Sequence, residues 1–320
     1  MHRMSLVPYA DDHAEDWDRL VADSVNGTFM HSRRFLAYHG ERFGDVSVLL
    51  QAEGRTLGVF PAAVDPIAND RIVSHPGVTY GGIVRLRRLS GQDLLDSLAL
   101  LSRYYAERGF ETLRYKITPA VFHRAPAEDD SYALQRLGAH RYRCDLNSVI
   151  DLGDQRDRRN ENRRRGHKKA VNAGVLVSDD IGHLPEYWKV LEERLAERHG
   201  VHPVHTIDEI TLIAELFPDA VRLLTGLLDG RVVAGVVLFS LGSAVHVQYS
   251  ASTEDGRAVA ALDPVTWTAI EQARVGGARW FSFGISTENE GRALNTSLFR
   301  FKESFGATSV VHEHYDLPLV

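Results

Sequence analysis

Near the C-terminus, the segment FRFKESFG (299–306) places one lysine, Lys302, among three phenylalanines. This composition predicts the end of a helix that packs on a core and stops at a glycine. Asn295 precedes Lys302 by seven residues, or two helical turns, so the two side chains share a face. Glu288, in the preceding loop, can take a proton from an amine or bind an ammonium group. These residues are candidates for handling charge and protons.

Each candidate also has a purely structural interpretation. The Lys302 chain can carry its ammonium to solvent near a helix C-terminus, where positive charge is favoured in any case. The polar residues Ser286, Thr287 and Asn289 can serve simply as caps of the same helix. The residues alone therefore leave both interpretations open.

The segment AVHVQYSAS (244–252) alternates in polarity and is predicted to be a strand. Its polar face carries His246, Gln248 and Ser250, and its other face carries valines and Tyr249. A polar face on a central strand is typical of a strand that lines a cleft. An exposed sheet face is the alternative.

The segment HGVHPVH (199–205) is the nearest approach to a metal-binding pattern. It has neither a cysteine nor carboxylates in ligand register, so no metal site is predicted. His205 lies in a loop after a proline and is instead a candidate general base.

In the first half, SHPGVTYGG (74–82) is a turn whose final glycines allow close approach of the backbone to a ligand. A plain turn is the alternative. An arginine near the preceding helix can bind a phosphate or carboxylate through two hydrogen bonds, or form a surface ion pair. The candidate substrate-binding residues of this half are Ser32, Arg42, His75, Thr79 and Tyr80.

The run RDRRNENRRRGHKK (156–169) holds eight basic residues and two acids. On a helix it predicts a positive surface in a chain whose formal net charge is −6, and a polyanion is the natural partner. A solvated basic helix is the alternative. The candidate donor-binding residues here are Arg159, Arg163, Arg164, Arg165, Lys168 and Lys169.

The composition, 44% hydrophobic and 25% charged over 320 residues, is typical of a globular protein with one large or two ordinary domains. The single cysteine, Cys144, excludes an intrachain disulfide and suits a reducing cytosol. We expect a cytoplasmic protein that binds neither membrane nor DNA. Rossmann, Walker and nucleophile-elbow motifs do not occur in the sequence.

The two halves of the chain repeat the same order of predicted elements: helices, a hairpin, a strand, a helix and a strand. The hairpins 46–64 and 221–241 turn at Glu-Gly-Arg and Asp-Gly-Arg, about 170 residues apart. This order predicts a duplicated α/β (α+β) domain with a mixed, mostly antiparallel sheet. The expected domains are 1–150 and 151–320, with 309–320 a strand that completes either one.

Three stretches resemble the acyltransferase domain shared by the Fem peptidyltransferases and their relatives in the GNAT superfamily. They are the basic helix with its Gly-Val turn (158–177), the closing strand, loop and Phe-Lys-x-x-Phe-Gly element (281–307), and the N-terminal pieces 28–43 and 74–82. The resemblance covers nearly the whole chain. It implies two tandem GNAT-like domains and transfer of an acyl group to an amine.

The resemblance also implies roles for individual residues. Lys302 of the Phe-Lys-x-x-Phe-Gly element faces the substrate groove and stabilises an oxyanion or anchors an anionic group. Tyrosines on the strand that corresponds to 244–252 face substrate, so Tyr249 joins His246 as a catalytic candidate. The catalytic candidates are thus Lys302, Glu288, His246, Tyr249 and His205, and Gln248 and Asn295 are expected to bind substrate.

Two donors are compatible with the resemblance, since Fem enzymes use aminoacyl-tRNA and other GNAT enzymes use acyl-CoA. GNAT domains that bind acetyl-CoA carry a Q/R-x-x-G-x-G/A loop that cradles pyrophosphate. Here RAVAALDP (257–264) keeps Arg257 but has Ala260 where the first glycine is expected. The expected function is therefore transfer of an aminoacyl group from tRNA to a small amine, with no bound cofactor. Acyl-CoA-dependent acylation of an amino sugar or natural-product amine, and non-catalytic RNA or ligand binding, are the alternatives.

Overall fold

The computed structural model describes residues 4–320, apart from the side chains of Arg198 and His199. Its strands are β1 (Met4–Pro8), β2 (Val48–Ala52), β3 (Arg55–Phe60), β4 (Ala63–Asp65), β5 (Ala68–Val73), β6 (Val84–Arg85), β7 (Thr112–Lys116), β8 (His140–Asp151), β9 (Leu176–Ser178), β10 (Val221–Leu228), β11 (Arg231–Leu241), β12 (Ala244–Ser252), β13 (Trp280–Ile285), β14 (Thr287–Glu288), β15 (Ala293–Leu294) and β16 (Thr308–Pro318).

The helices separate these strands, and short 3-10 turns occur in both halves. Within residues 4–320, no helix is both long and apolar enough to cross a membrane. The helices are α1 (Ala14–Asp23), α2 (Arg33–Leu36), α3 (Gln92–Ala106), α4 (Asp129–Arg136), α5 (Glu161–Asn172), α6 (Leu184–His199), α7 (Ile207–Leu216), α8 (Glu254–Ala258), α9 (Leu262–Val275) and α10 (Thr296–Glu303).

The chain forms two compact units. The first consists of Met1–Asp145, Glu288–Ala293 and Val311–Val320, and the second of Leu146–Thr287 and Leu294–Val310. The division after Asp145 lies inside β8, five residues before the expected boundary at 150. The last strand, which the sequence assigned to neither half, adds residues 311–320 to the first unit.

In the first unit, β1, β2, β3 and β6 form an antiparallel sheet. A second group of strands in this unit follows the order β4, β5, β7 and the end of β16. Within this group, β5 and β7 are parallel, and α3 connects them. Alternate apolar residues of these strands pack against α3 and α4, and Phe60, Tyr105 and Tyr115 are among the largest buried side chains.

In the second unit, the strand order is β9, β10, β11, β12, β13 and the end of β8. β12 and β13 are parallel and joined through α9, so this unit repeats the strand–helix–strand arrangement of the first. Its core includes Val236, Val265, Phe281 and Phe305. The mixed, mostly antiparallel sheets flanked by helices confirm the predicted fold class.

Candidate functional site

The strands β12 and β13 separate partway along their length. They pair only at 244–246 with 280–282, although β12 continues to Ser252 and β13 to Ile285. Beside this point, β12 contains a bulge, because Leu238 of β11 pairs with Val247 and Val237 pairs with Tyr249. Gln248 is the extra residue, and a bulge of this kind bends the strand and leaves one residue outside the ladder. The separation opens a gap at the carboxyl ends of two parallel strands, where α/β sheets place ligands.

A cavity of about 770 Å³ occupies this gap, and we call it the cleft. Val247 and Gln248 of β12, Phe283 and Ile285 of β13, and residues of α5, α6, α8, α9 and α10 line it. Its volume lies in the range of roughly 300–1,000 Å³ that accommodates small-molecule substrates.

Lys302 lines the cleft from α10 and is 5% exposed. Its Nζ donates hydrogen bonds to the carbonyl oxygens of Gly284 (2.9 Å) and Ile285 (2.6 Å), at the end of β13. An ammonium has three donors, so one remains for a ligand. Burial lowers the pKa of Lys302 to about 7. The residue both fixes the end of β13 and supplies a positive group to the cleft.

The first turn of α9 presents a carboxylate to the cleft. Asp263 is 3% exposed and accepts a 2.6 Å hydrogen bond from Arg163 Nη1. A Cβ placed on Gly166 of α5 would lie 1.8 Å from Asp263 Oδ2, so glycine lets the two helices approach. Burial raises the pKa of Asp263 to about 6, and Arg163 opposes that rise. At neutral pH a negative charge therefore occupies this helix N-terminus.

Positive charge otherwise predominates around the cleft. Arg163, Arg194, Arg257 and Lys302 line it, and Asp263 is the one acid among the described lining residues. Arg257 donates to the carbonyl oxygen of Ser252 (2.9 Å), which holds it at the end of β12. Such a lining favours an anionic ligand.

The bulge overturns the strict alternation predicted for 244–252. Val247 and Gln248 both line the cleft, whereas Tyr249 contacts Trp188 of α6, with ring centroids 5.1 Å apart. His205 Nδ1 lies 2.6 Å from the Tyr249 hydroxyl, and burial raises the pKa of Tyr249. Two residues proposed separately thus form one hydrogen-bonded pair, which is absent from the cleft lining.

His246 lies where β12 and β13 are still paired. Its Nδ1 is 3.0 Å from Ser282 Oγ, which also bonds Asn147 Oδ1 at 3.2 Å. This polar chain crosses the sheet between adjacent strands. His246 is half-buried there, and Gly284 passes close to its ring.

The α10 cap differs from the predicted one. Asn295 is the N-cap, and its side-chain oxygen accepts from the Leu298 N–H at 3.0 Å. The predicted caps Ser286, Thr287 and Asn289 lie too early in the chain for that role. Glu288 is exposed in β14 and belongs to the first unit.

The predicted substrate residues of the first half occupy different environments. Ser32 caps α2 by accepting from the Phe35 N–H at 3.1 Å. His75 and Tyr80 are buried, and the Tyr80 hydroxyl lies 3.1 Å from Thr28 Oγ1. Burial raises the pKa of Tyr80 and lowers that of His75 well below its usual value. Arg42 and Thr79 are exposed, and the Arg42 guanidinium lies 5.6 Å from the centre of the Tyr38 ring.

Acids neutralise much of the basic run. Arg159 and Arg164 pair with Asp157 at 3.0 and 3.4 Å, and Arg165 approaches Glu161 at 3.7 Å. Arg159 also stacks on Trp267, 3.4 Å from the centre of a ring. Lys168 and Lys169 are exposed on α5. The positive surface is therefore smaller than the sequence predicts and centres on these two lysines and the arginines that line the cleft.

Sequence reasoning missed Asp263 and Arg194. An Asp-Pro pair that opens a helix is visible in RAVAALDP, but its burial against Gly166 depends on the packing of α5. Among the described residues, no cluster of three or more His, Cys, Asp or Glu side chains is arranged to hold a metal ion. The side chain of His199, in the segment considered for a metal, lies outside the described residues.

Residues 155–302 match the family model described as an acetyltransferase (GNAT) domain. A comparison with curated protein sequences gave no match.

Solved structures share the fold at low sequence identity. A structure of FemX superposes with a TM-score of 0.69 at 13% identity, covering 98% of this chain and 97% of that one. L-PGS from Bacillus licheniformis gives a TM-score of 0.62 at 13% identity, covering 95% and 91%. A tandem GNAT protein from the clavulanic acid biosynthesis pathway gives 0.53 at 13% identity, covering 99% of each chain. The fold is the Fem-like tandem GNAT fold.

Proposed function

We propose a specific reaction for this chain, which is an acyltransferase of the Fem-like tandem GNAT type: transfer of an aminoacyl group from tRNA to the amine of a small acceptor. The Asp263 carboxylate at the start of α9 is the observation that favours tRNA over acyl-CoA as the donor. In a GNAT domain that uses acyl-CoA, the corresponding helix N-terminus receives pyrophosphate. A buried carboxylate at that point repels a pyrophosphate and uses the adjacent Arg163 as its own partner.

The cleft residues fit the chemistry of aminolysis. The neutral acceptor amine attacks the ester carbonyl carbon, the new C–N bond forms, and the C–O bond to the tRNA ribose breaks. The amine proton leaves to a base or to the departing ribose oxygen. Negative charge develops on the carbonyl oxygen in between, and the remaining N–H of Lys302 is the donor that would stabilise it.

Two further observations support a tRNA donor, one from charge and one from the structural neighbours. Lys168 and Lys169 on α5 offer exposed positive charge for the phosphates of the nucleic acid. FemX and L-PGS share the fold, and another structural neighbour is described as the C-terminal domain of a provisionally assigned lysylphosphatidylglycerol synthetase from Agrobacterium fabrum, with a TM-score of 0.57 at 12% identity. Its description names an aminoacylated product, which agrees with aminoacyl transfer.

An acyl-CoA donor is the second candidate, and one observation favours it. Ala260 adopts φ +60°, the left-handed conformation that a glycine would take at this position. The loop before α9 therefore keeps a glycine-type bend, and Arg257 beside it lines the cleft. With this donor, the acceptor would be an amino sugar or a natural-product amine.

Titration of the full chain separates the two donors. Total tRNA charged with radiolabelled amino acids, the same tRNA uncharged, and acetyl-CoA are added separately at low and high salt. We expect charged tRNA to bind most tightly and to weaken as salt rises, with no acetyl-CoA binding. Acetyl-CoA binding tighter than that of charged tRNA would overturn the proposal.

Transfer is then measured by adding glucosamine, as a probe amine, to the complex with labelled aminoacyl-tRNA. Accelerated loss of label from tRNA with formation of the labelled amide supports an amino-sugar acceptor. Loss of label as free amino acid, without the amide, is hydrolysis of the ester by water and shows that glucosamine is not the acceptor. The variant Lys302→Ala separates catalysis from binding, because it should retain tRNA binding and lose transfer.

A further inference from the structure

The first unit contains its own cavity, of about 190 Å³, which we call the first-unit cavity. Its lining includes Tyr9, Arg33, Ala37, Asp45 and His75. It is smaller than the roughly 300–1,000 Å³ of drug-sized pockets, so its ligand would be a small metabolite. The cleft described above shares none of these residues.

Arg33 lines this cavity and has two buried donors without an acceptor among the described residues. The residue is 8% exposed, and its guanidinium lies 3.3 Å from the centre of the Tyr9 ring and 4.1 Å from that of Trp17. Nη1 donates to Asp45, but no described residue accepts a hydrogen bond from the buried Nε or Nη2. Nε and Nη2 form the edge of arginine that binds carboxylates with two parallel bonds.

Arg114, in the same unit, binds a carboxylate through the same Nε–Nη2 edge. Arg114 donates from Nε and Nη2 to the two carboxylate oxygens of Asp316, at 2.9 Å each. Arg33 has the same edge, is more buried, and lines a cavity, but no described carboxylate lies on that edge. Because buried polar groups are almost always paired, a carboxylate is the ligand that completes Arg33.

The other charges of the first-unit cavity define the rest of that ligand. Asp11 and Asp45 also line it, so acids outnumber the one arginine. Burial keeps the pKa of His75 well below its usual value, so this histidine adds no positive charge at neutral pH. A phosphate dianion would meet net negative charge, whereas an ammonium group would be attracted by the two aspartates.

We propose that the first unit binds a small free amino acid as a zwitterion, with its carboxylate on the Nε–Nη2 edge of Arg33 and its ammonium near Asp11 and Asp45. His75 Nδ1, which has no hydrogen-bond partner among the described residues, is a further polar contact for the ligand. This site goes beyond the proposed transfer reaction and requires neither tRNA nor an acyl acceptor.

Isothermal titration calorimetry of the full chain tests the proposal with the twenty standard amino acids, acetate, methylamine and inorganic phosphate as separate probes. We expect at least one small amino acid to bind, acetate to bind more weakly, and phosphate and methylamine not to bind. The absence of any amino acid binding at millimolar concentrations, or phosphate binding tighter than every amino acid, would overturn the proposal.

Two variants test where in the protein the amino acid binds. Arg33→Lys removes the two-pronged edge and should weaken binding roughly tenfold to a hundredfold. Arg34→Lys changes the adjacent, exposed arginine and should leave affinity unchanged. Arg33→Lys can also disturb packing, so Ala37→Phe is the second variant. Ala37 is exposed and lines the cavity, so we expect a phenylalanine there to compete with the ligand for space.

The cleft is the other place where an amino acid can bind, and the same titrations distinguish it. Binding lost in Ala37→Phe but kept in Lys302→Met supports the first-unit site. Binding kept in Ala37→Phe and lost in Lys302→Met places the amino acid in the cleft and overturns the proposal. Thermal melting of each variant reports whether it is folded. The amino acid titrations contain no tRNA, so their outcome would stand even if the protein did not bind tRNA.

Discussion

The first and second units each contain two parallel strands joined by a helix, and they differ in the space beyond the paired residues. In the first unit the chain after β5 stays beside β7: the Ser74 N–H donates to the Arg114 carbonyl at 2.9 Å, and Ser74 Oγ accepts from the Lys116 N–H at 2.8 Å. In the second unit β12 and β13 diverge, and the cleft lies between them. One arrangement of strands thus supports either a closed interior or an open site.

Each unit has a buried lysine close to its pair of parallel strands. Lys116 donates to the carbonyl oxygens of His75 and Val78, as Lys302 does to those of Gly284 and Ile285. Burial lowers the pKa of each lysine to about 7. The Lys302 ammonium lines an open cleft, whereas Lys116 lies in the closed interior. A buried lysine bound to two carbonyls thus holds the chain in both units, and we expect a chemical role only where a cavity reaches the lysine.

We expect the largest difference between the two units to be in their stability at acid pH. Burial lowers the pKa of His31, His123 and His312, all in the first unit, to about 4. The unfolded chain binds protons near pH 6.5 and the folded unit does not, so stability is full above that pH and falls as pH drops towards 4. The loss is at most about 3 kcal/mol for each histidine at pH 4.

Hydrogen exchange followed from pH 7.5 to 4.5 measures this difference. Amides of the first unit should lose protection before those of the second, and His123→Gln should reduce the pH dependence. Earlier loss of protection in the second unit would show that the histidines do not set acid sensitivity.

The two lysines should respond differently to the same substitution. Lys302→Met should slow single-turnover aminoacyl transfer by roughly 10²–10³-fold, since it removes a donor to the developing oxyanion. Lys116→Met should leave the rate within about threefold and lower stability by about 1–3 kcal/mol, because two buried carbonyls lose their donor. Equal losses of rate in the two variants would mean that Lys302 acts only through stability.

Asp263 offers a gain-of-function test. Asp263→Asn keeps the shape of the side chain and removes its charge, so acetyl-CoA affinity should rise by roughly tenfold or more. Asp130→Asn in the first unit is the matched control, since Asp130 is also buried in the first turn of a helix and burial raises its pKa to about 6. Calorimetric titration with acetyl-CoA measures both; unchanged affinity in Asp263→Asn would remove the charge argument for the tRNA donor.

The smallest expected effect concerns the exposed lysines of α5. Replacing Lys168 and Lys169 together with alanine should weaken tRNA binding several-fold and reduce the salt slope by about one for each lysine that contacts a phosphate. The control replaces Arg87 and Arg88, two consecutive exposed residues of the first unit, with alanine. An equal effect of both pairs would indicate non-specific attraction.

The sequence predicted the order of elements because hairpin turns, glycine stops and apolar periodicity are local signals. The basic helix α5 ends near Gly174, which has φ +87°, and is followed by β9, as the Gly-Val turn predicts. Lys302 was identified through its motif, and its exposure to a cavity follows from the separation of β12 and β13.

Other features depend on tertiary packing and were not predictable from local signals. The bulge at Gln248 shifts the register of β12 against β11, so Val247 joins Gln248 and Ser250 at the cleft, although strict alternation places it on the opposite face. The pairing of His205 with Tyr249 spans 44 residues. Arg33 was not identified because only the structure shows that a buried guanidinium retains two donors without a described acceptor.

The placement of β16 has a consequence for biosynthesis. Residues 314–318 pair with β7, so the first unit receives this neighbouring strand from a segment that the ribosome makes after the second unit's cleft. Until then the edge of β7 is an unpaired row of backbone donors and acceptors, and such edges attract other strands. The first unit therefore completes this set of strands only after most of the second unit has been made, whereas N-terminal parts usually finish folding first. We expect the nascent first unit to depend on protection of this edge until residues 314–318 have been made.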